Sequence, residues 1–165
     1  MHELGIVFHV IKSVEEIAQE NELTKVSAVT LSIGEVSGIV PSYLTDCWRW
    51  AADRTEVLSG SELNIETIHA VTHCDDCGCE YDTVAHGKIC PECGGEHTWL
   101  LCGNETMIKE IEVPEENQIR EFLQKKDYDP EQTDQKEKGK LMMALARKGF
   151  AYEAIRSVMG EWLDT

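Results

Sequence analysis

Two cysteine pairs, Cys74-x-x-Cys77 and Cys90-x-x-Cys93, constrain this chain more than any other feature. Each pair can present two thiolates from one tight turn. Two such turns facing each other make a closed tetrahedral S4 site, the arrangement a structural zinc prefers. The flanking residues suit such turns: Gly78 follows the first pair, Pro91 lies inside the second, and Gly94-Gly95 follow it. Two disulfides, or four unrelated buried cysteines, are the plain alternatives. A thioredoxin-type redox motif needs one C-x-x-C near a βαβ pattern, not two pairs. The total of seven cysteines is odd, and a reducing compartment agrees with thiolate ligation better than with disulfides.

No apolar run approaches the roughly 18 residues that span a bilayer. Met1-His2-Glu3-Leu4 lacks the basic start of a signal peptide. The expectation is a cytoplasmic protein without a leader and without membrane contact. The net charge is −16 and uneven. Residues 1–113 carry 6 Lys and Arg against 20 Asp and Glu; residues 114–165 carry 9 against 11. So acidic a segment repels phosphate backbones, which argues against nucleic-acid binding. It is compatible with cations, with a basic partner, or simply with solubility.

Val7, Val10, Ile11, Val14, Ile17 and Ala18 recur at helical spacing and predict a helix over 4–21. Val29, Leu31 and Ile33 alternate with Thr30 and Ser32, predicting a strand over 26–33 that ends at Gly34. Pro41 suits the first turn of a helix over 41–54, with Tyr43, Leu44, Cys47, Trp48 and Ala51 as its apolar face. A strand over 62–71 carries Leu63, Ile65 and Thr67 on one side, and a closing strand covers 105–113. Between them, residues 73–103 hold few apolar side chains (Tyr81, Val84, Ile89, Trp99, Leu100, Leu101), so metal rather than a large core must cross-link them. After Pro114 the pattern is helical: 115–126, 134–148 and 151–163, with Gly149 as a stop and Leu141, Met142, Leu145, Ala146, Phe150, Ile155, Val158, Met159 and Trp162 as core candidates. The fold class expected is α+β. It comprises a mixed α/β domain of 1–72 and 104–113 with two helices on a short sheet, a zinc-ribbon-like domain of 73–103, and an all-helical extension of 114–165.

His2 offers a second metal site. The α-amine of Met1, the amide nitrogen and imidazole of His2, and the amide nitrogen of Glu3 can lie in one plane. Square-planar nitrogen ligation suits Ni(II) or Cu(II), not Zn(II). Taken alone, a His at position two is more often a surface residue.

The chain resembles the HypA/HybF family of nickel metallochaperones. The resemblance rests on Met1-His2-Glu3-Leu4, on residues 31–41 (LSIGEVSGIVP), on the four cysteines, and on residues 103–113 (GNETMIKEIEV). Order and spacing agree over 1–113. The resemblance implies that Met1, His2 and Glu3 hold Ni(II) for transfer. It implies that Cys74, Cys77, Cys90 and Cys93 hold a structural Zn(II). It implies a carrier and not an enzyme, delivering nickel for NiFe hydrogenase maturation. The implied partners are the hydrogenase maturation GTPase, the hydrogenase large-subunit precursor and, in some organisms, urease maturation proteins; a homodimer is a candidate assembly. Cys47-Trp48-Arg49-Trp50 departs from the family's Phe-rich stretch and implies altered packing. The extension is faintly similar, over 141–156, to the helical repeats of RecX-type regulators, and no recombination role follows. The rival readings are a zinc-ribbon adaptor that ignores nickel and a rubredoxin-like iron protein.

Cys47, Cys79 and Cys102 lie outside the pairs and read as small buried hydrophobes, with Cys79 close enough to be an occasional ligand. His69, His73, His86 and His97 read as surface residues or as neighbours of the zinc site, and His9 as structural.

Overall fold

Helical spacing near the amino terminus becomes a 19-residue helix, α1 (His2–Glu20), in the computed structural model, which describes residues 2–160. Val7, Val10, Ile11, Val14 and Ala18 are buried along one stripe, and Ile17 is half-buried at its edge. The strand β1 (Ala28–Gly34) follows, then α2 (Pro41–Ala52) and β2 (Glu62–Ile68). β1 pairs parallel with β2, so α2 is the crossover of a βαβ unit. β6 (Thr106–Glu112) pairs antiparallel on the other side of β1, giving the order β2-β1-β6. Val29, Leu31 and Ile33 meet α1 and α2 in one core with Leu44, Trp48, Ala51, Ala52 and Leu58. As the central strand, β1 is buried along its whole length, Thr30 and Ser32 included.

The expected apolar face of α2 is displaced. Leu44, Trp48 and Ala51 are buried, but Tyr43 is 62% exposed, one position off their shared stripe. Thr67 is likewise exposed, while Leu63 and Ile65 pack on the core. The tryptophan pair divides its labour. Trp48 is buried and donates its indole N–H to the Ser61 carbonyl at 3.3 Å. Trp50 lies on the surface, edge-on to Phe8 and beneath the Arg54 guanidinium.

The strand expected over 62–71 breaks at His69–Ala70. Beyond the break, β3 (Val71–Cys74) enters a second sheet, antiparallel throughout, in the order β4 (Glu80–Asp82), β3, β5 (Thr98–Cys102). The reason is a close backbone crossing where the chain passes between the sheets. A Cβ on Gly34 would lie 2.1 Å from the Gly103 carbonyl carbon, and one on Gly103 would lie 2.4 Å from the Ala70 α-carbon. Gly103 also has φ +109, a region that favours glycine. Two carboxylates satisfy the backbone there. Glu35 Oε2 accepts from the Ala70 N–H at 3.0 Å, and Glu105 Oε2 from the Gly103 N–H at 2.7 Å.

Two expected outcomes arise from this crossing. Gly34→Ala should destabilise the chain by about 1–3 kcal/mol, toward the upper end because the obstacle is backbone. Denaturant unfolding checks it, and an unchanged midpoint would mean the crossing opens freely. The Gly103 N–H holds the Glu105 carboxyl below its ordinary range. A depressed carboxyl contributes stability that is present above its unfolded pKa, near about 4.3, and lost as pH falls through the folded value. Glu105→Gln should therefore flatten the acid side of the stability curve, as read by thermal melts. Equal slopes for the two proteins would remove Glu105 from the account.

The chain folds as two compact units, residues 1–112 and 113–165. The second is three helices: α4 (Glu115–Lys125), α5 (Gln135–Arg147) and α6 (Tyr152–Gly160). Ile119, Leu123, Leu145, Ile155 and Val158 form its centre. Asp134 caps α5, its side chain accepting from the Glu137 N–H at 2.7 Å. Gly149, at φ +95, stops α5 as its position suggested. Met1, Trp162 and the rest of the helix expected to 163 lie outside the described residues. Among the described residues no helix is long and apolar enough to cross a membrane.

Candidate metal centres

The two cysteine turns are built alike. β3 delivers Cys74, whose carbonyl accepts from the Gly78 N–H at 2.8 Å. Cys90 repeats the pattern, accepting from the Gly94 N–H at 2.9 Å. Gly78 and Gly94 have φ of +76 and +72, so both turns close through a left-handed residue. Between them runs a short helix, α3 (Thr83–His86), capped by Asp82, which accepts from the Ala85 N–H.

The four sulfurs converge, all within 4.8 Å of one another. Cys74 Sγ is 3.7 Å from Cys93 Sγ, and Cys77 Sγ is 3.6 Å from Cys90 Sγ. A tetrahedral zinc with bonds of about 2.3 Å has sulfur–sulfur edges of about 3.8 Å, whereas a disulfide needs about 2.05 Å. The spacing therefore fits Zn(II), and the cysteines are free rather than paired. Cys74 and Cys90 are buried; Cys77 and Cys93 face solvent.

Backbone N–H groups from Cys93 and Glu92 lower the Cys90 thiol to about 7 against the cost of burial. Cys93 is pushed the other way, to about 12: the Gly95 N–H lowers it, but hydrogen bonds in which its thiol donates to Cys77 and Cys74, together with burial, prevail. Cys77 is also raised, the Cys79 N–H being outweighed by burial and the neighbouring thiols. Crowding thus favours the protonated thiols of Cys77 and Cys93, and a divalent cation that displaces those protons relieves it.

Very little else holds this region together. Its buried cluster is Cys74, Tyr81 and Cys90, with Cys79 packed against it. Val84, Ile89, Trp99 and Leu101, counted from the sequence as its apolar content, are all exposed. Cys79 directs its thiol to the Glu80 carbonyl, and Cys102 to the His69 carbonyl, so neither joins the four. Cys47 packs against the main core.

The histidines do not gather into a second cluster among the described residues. His73 lies tilted against Trp99, ring centroids 5.4 Å apart, with ring nitrogens 3.6 Å from Asp75 and 3.9 Å from Glu80. Asp75 also accepts from the Trp99 indole N–H, which fixes the ring beside His73. His97 Nδ1 lies 3.0 Å from Asp76 Oδ1, His69 Nδ1 3.4 Å from Glu35 Oε2, and His86 meets the Tyr81 ring edge-on. His9, expected to be structural, is exposed and lines a groove of about 680 Å³ with Gly5, Ile6, Val10, Met107 and Ile108.

At the amino-terminal end, His2 opens α1, and Glu3 Oε1 accepts from the Val40 N–H at 3.4 Å. That bond ties the start of α1 to the turn before α2. Sequence reading missed it, because nothing in the spacing of residues 3 and 40 marks them as neighbours. The first N–H groups of a helix have no partner within the helix, so the amides at this end are not engaged in its ladder. The Met1 amine lies outside the described residues, and the His2 side chain is not described.

Comparison with known proteins places these features. Residues 1–113 match the family model described as hydrogenase/urease nickel incorporation, metallochaperone, hypA. Residues 114–159 match a second model, the third three-helix domain of RecX. The hydrogenase maturation factor HypA of Geotalea uraniireducens is 40% identical over 114 residues, covering 68% of this chain and 99% of that protein. HypA of Dehalococcoides mccartyi strain 195 is 33% identical, covering 72% and 98%. The solution structure of the nickel metallochaperone HypA from Helicobacter pylori shares the fold, with a TM-score of 0.54 at 23% identity over 67% of this chain and 96% of that one. A second structure, a solution structure of HypA protein, has a TM-score of 0.56 at 25% identity, covering 69% and 97%. On these grounds the chain belongs to the HypA family of nickel-incorporation metallochaperones, with a helical extension beyond the length of its relatives.

Proposed function

We propose that this chain carries Ni(II) at its amino terminus and delivers it for the maturation of NiFe hydrogenase. Its central support is the agreement of residues 1–113 with nearly the full length of hydrogenase maturation factors. In this reading the Met1 amine, the His2 imidazole and the amides of His2 and Glu3 surround nickel in a plane. Cys74, Cys77, Cys90 and Cys93 hold a structural zinc that folds residues 73–103, while 1–72 and 104–113 form the nickel-carrying domain. Four thiolates closing a tetrahedron leave no open position, so this zinc supports structure rather than chemistry. The chain is a carrier, not an enzyme, and works in the cytoplasm. Its partners are the hydrogenase maturation GTPase and the hydrogenase large-subunit precursor, with urease maturation proteins as further recipients. Nothing in the geometry favours a zinc-ribbon adaptor that ignores nickel.

Cells lacking this chain are expected to accumulate nickel-free hydrogenase precursor, and resupply of the chain should restore the metal. Nickel analysis of the purified large subunit checks this. Full nickel occupancy without the chain would contradict the proposed delivery.

A further inference from the structure

The helix α5 carries five basic residues in or next to it that fall into two groups. Lys138 donates to the Pro130 carbonyl at 2.7 Å, and Lys148, just past the helix, lies over the Phe122 ring at 5.2 Å. Both have work within the three-helix unit. Lys136, Lys140 and Arg147 are exposed, and none has a carboxylate within ion-pair distance among the described residues. At about 100° per residue these three fall on one stripe, opposite the inward Leu141 and Leu145. No Asp or Glu shares that stripe, in a chain whose net charge is −16.

The rest of the stripe is apolar or small. Met143, at its centre, is 61% exposed. Gly139 and Ala146 flank it, and a Cβ on Gly139 would meet nothing within 4 Å. A glycine inside a helix costs about 1 kcal/mol relative to alanine, and no internal contact here requires one. Its consequence is a shallow place where another element can approach the α5 backbone. The stripe from 136 to 147 spans roughly 16 Å, about three helical turns.

We infer that this face of α5 docks an acidic amphipathic helix of another protein. The cations select an acidic partner. Met143 between two small residues suits an apolar ridge, since methionine adapts to irregular surfaces. Duplex DNA fits less well, because the stripe's centre is apolar and residues 1–113 of the same chain carry a net −14.

The test uses the full chain labelled with ¹⁵N and three probes: a synthetic helix with leucines at i, i+3, i+4 and i+7 and glutamates elsewhere, a scrambled peptide of the same composition, and a short DNA duplex. The amphipathic peptide should shift amide resonances of α5 around Lys136, Lys140, Met143 and Arg147. The combined K136E/K140E/R147E variant should bind it about tenfold more weakly, and should gain binding to the same peptide with lysines in place of glutamates. Folding of the variant is read from its unchanged dispersed spectrum, and M143D, which leaves the cations in place, should also weaken the peptide. Equal binding of the scrambled peptide, tighter binding of the duplex, or shifts confined to residues outside α5 would each overturn the inference.

Discussion

Replacing Cys74 with Ser is expected to release the zinc and unfold the sheet of β3, β4 and β5, while the helix-covered sheet stays folded. The asymmetry follows from what each part buries. The α/β core joins α1, α2 and β1 through residues such as Val14, Leu44 and Trp48, each essentially inaccessible. The cysteine module buries Cys74, Tyr81 and Cys90, two of which are metal ligands in this account. A structural zinc site supplies about 10–16 kcal/mol of binding free energy at neutral pH, and nothing else in the module approaches that. The variant should fall from about one zinc per chain to none. Hydrogen exchange should accelerate in β3, β4 and β5 and remain slow in β1. Retained zinc with unchanged protection would show that the four sulfurs are not the ligands.

His2→Ala, or a tag fused ahead of Met1, should abolish nickel binding and leave the zinc in place. The substitution removes the imidazole; the fusion converts the amine to an amide and moves the chelate away from a free end. Neither touches the sulfurs or the core. Because the amine and the amides must lose protons to ligate, nickel affinity should fall as pH falls. Equal nickel affinity for free and tagged chains, with ligands in the tag excluded, would refute the site.

The two sites differ in how far the sequence exposes them. The S4 site is local chemistry: two residues between the cysteines of each pair and a glycine after each pair are enough to foresee both turns. The helices were legible for a related reason, since burial along α1 and α4 to α6 follows the 3.6-residue period. The division of the sheets was not. Residues 62–71 read as one strand because both halves are apolar enough, and the break at Ala70 depends on residues distant in sequence, Gly103 passing close to Ala70 and Gly34 close to Gly103. Tyr43 was misplaced because a helix of 12 residues fixes its inward face only to within about one position. Bottom-up chemistry at His2 suggests a planar chelate but cannot distinguish it from an ordinary surface histidine. The proposed chelate therefore rests on the family resemblance, and the bond from the Val40 N–H to Glu3 appeared only in three dimensions.

The most direct measurement is a Ni(II) titration of the untagged, zinc-loaded protein followed by visible absorption and proton NMR. Nickel in a plane of four nitrogens is diamagnetic, giving a weak d–d band and sharp proton lines that are lost in His2→Ala. Paramagnetically shifted lines, strong sulfur-to-metal charge-transfer bands with displaced zinc, or no saturable binding would contradict a nickel carrier built on the amino terminus.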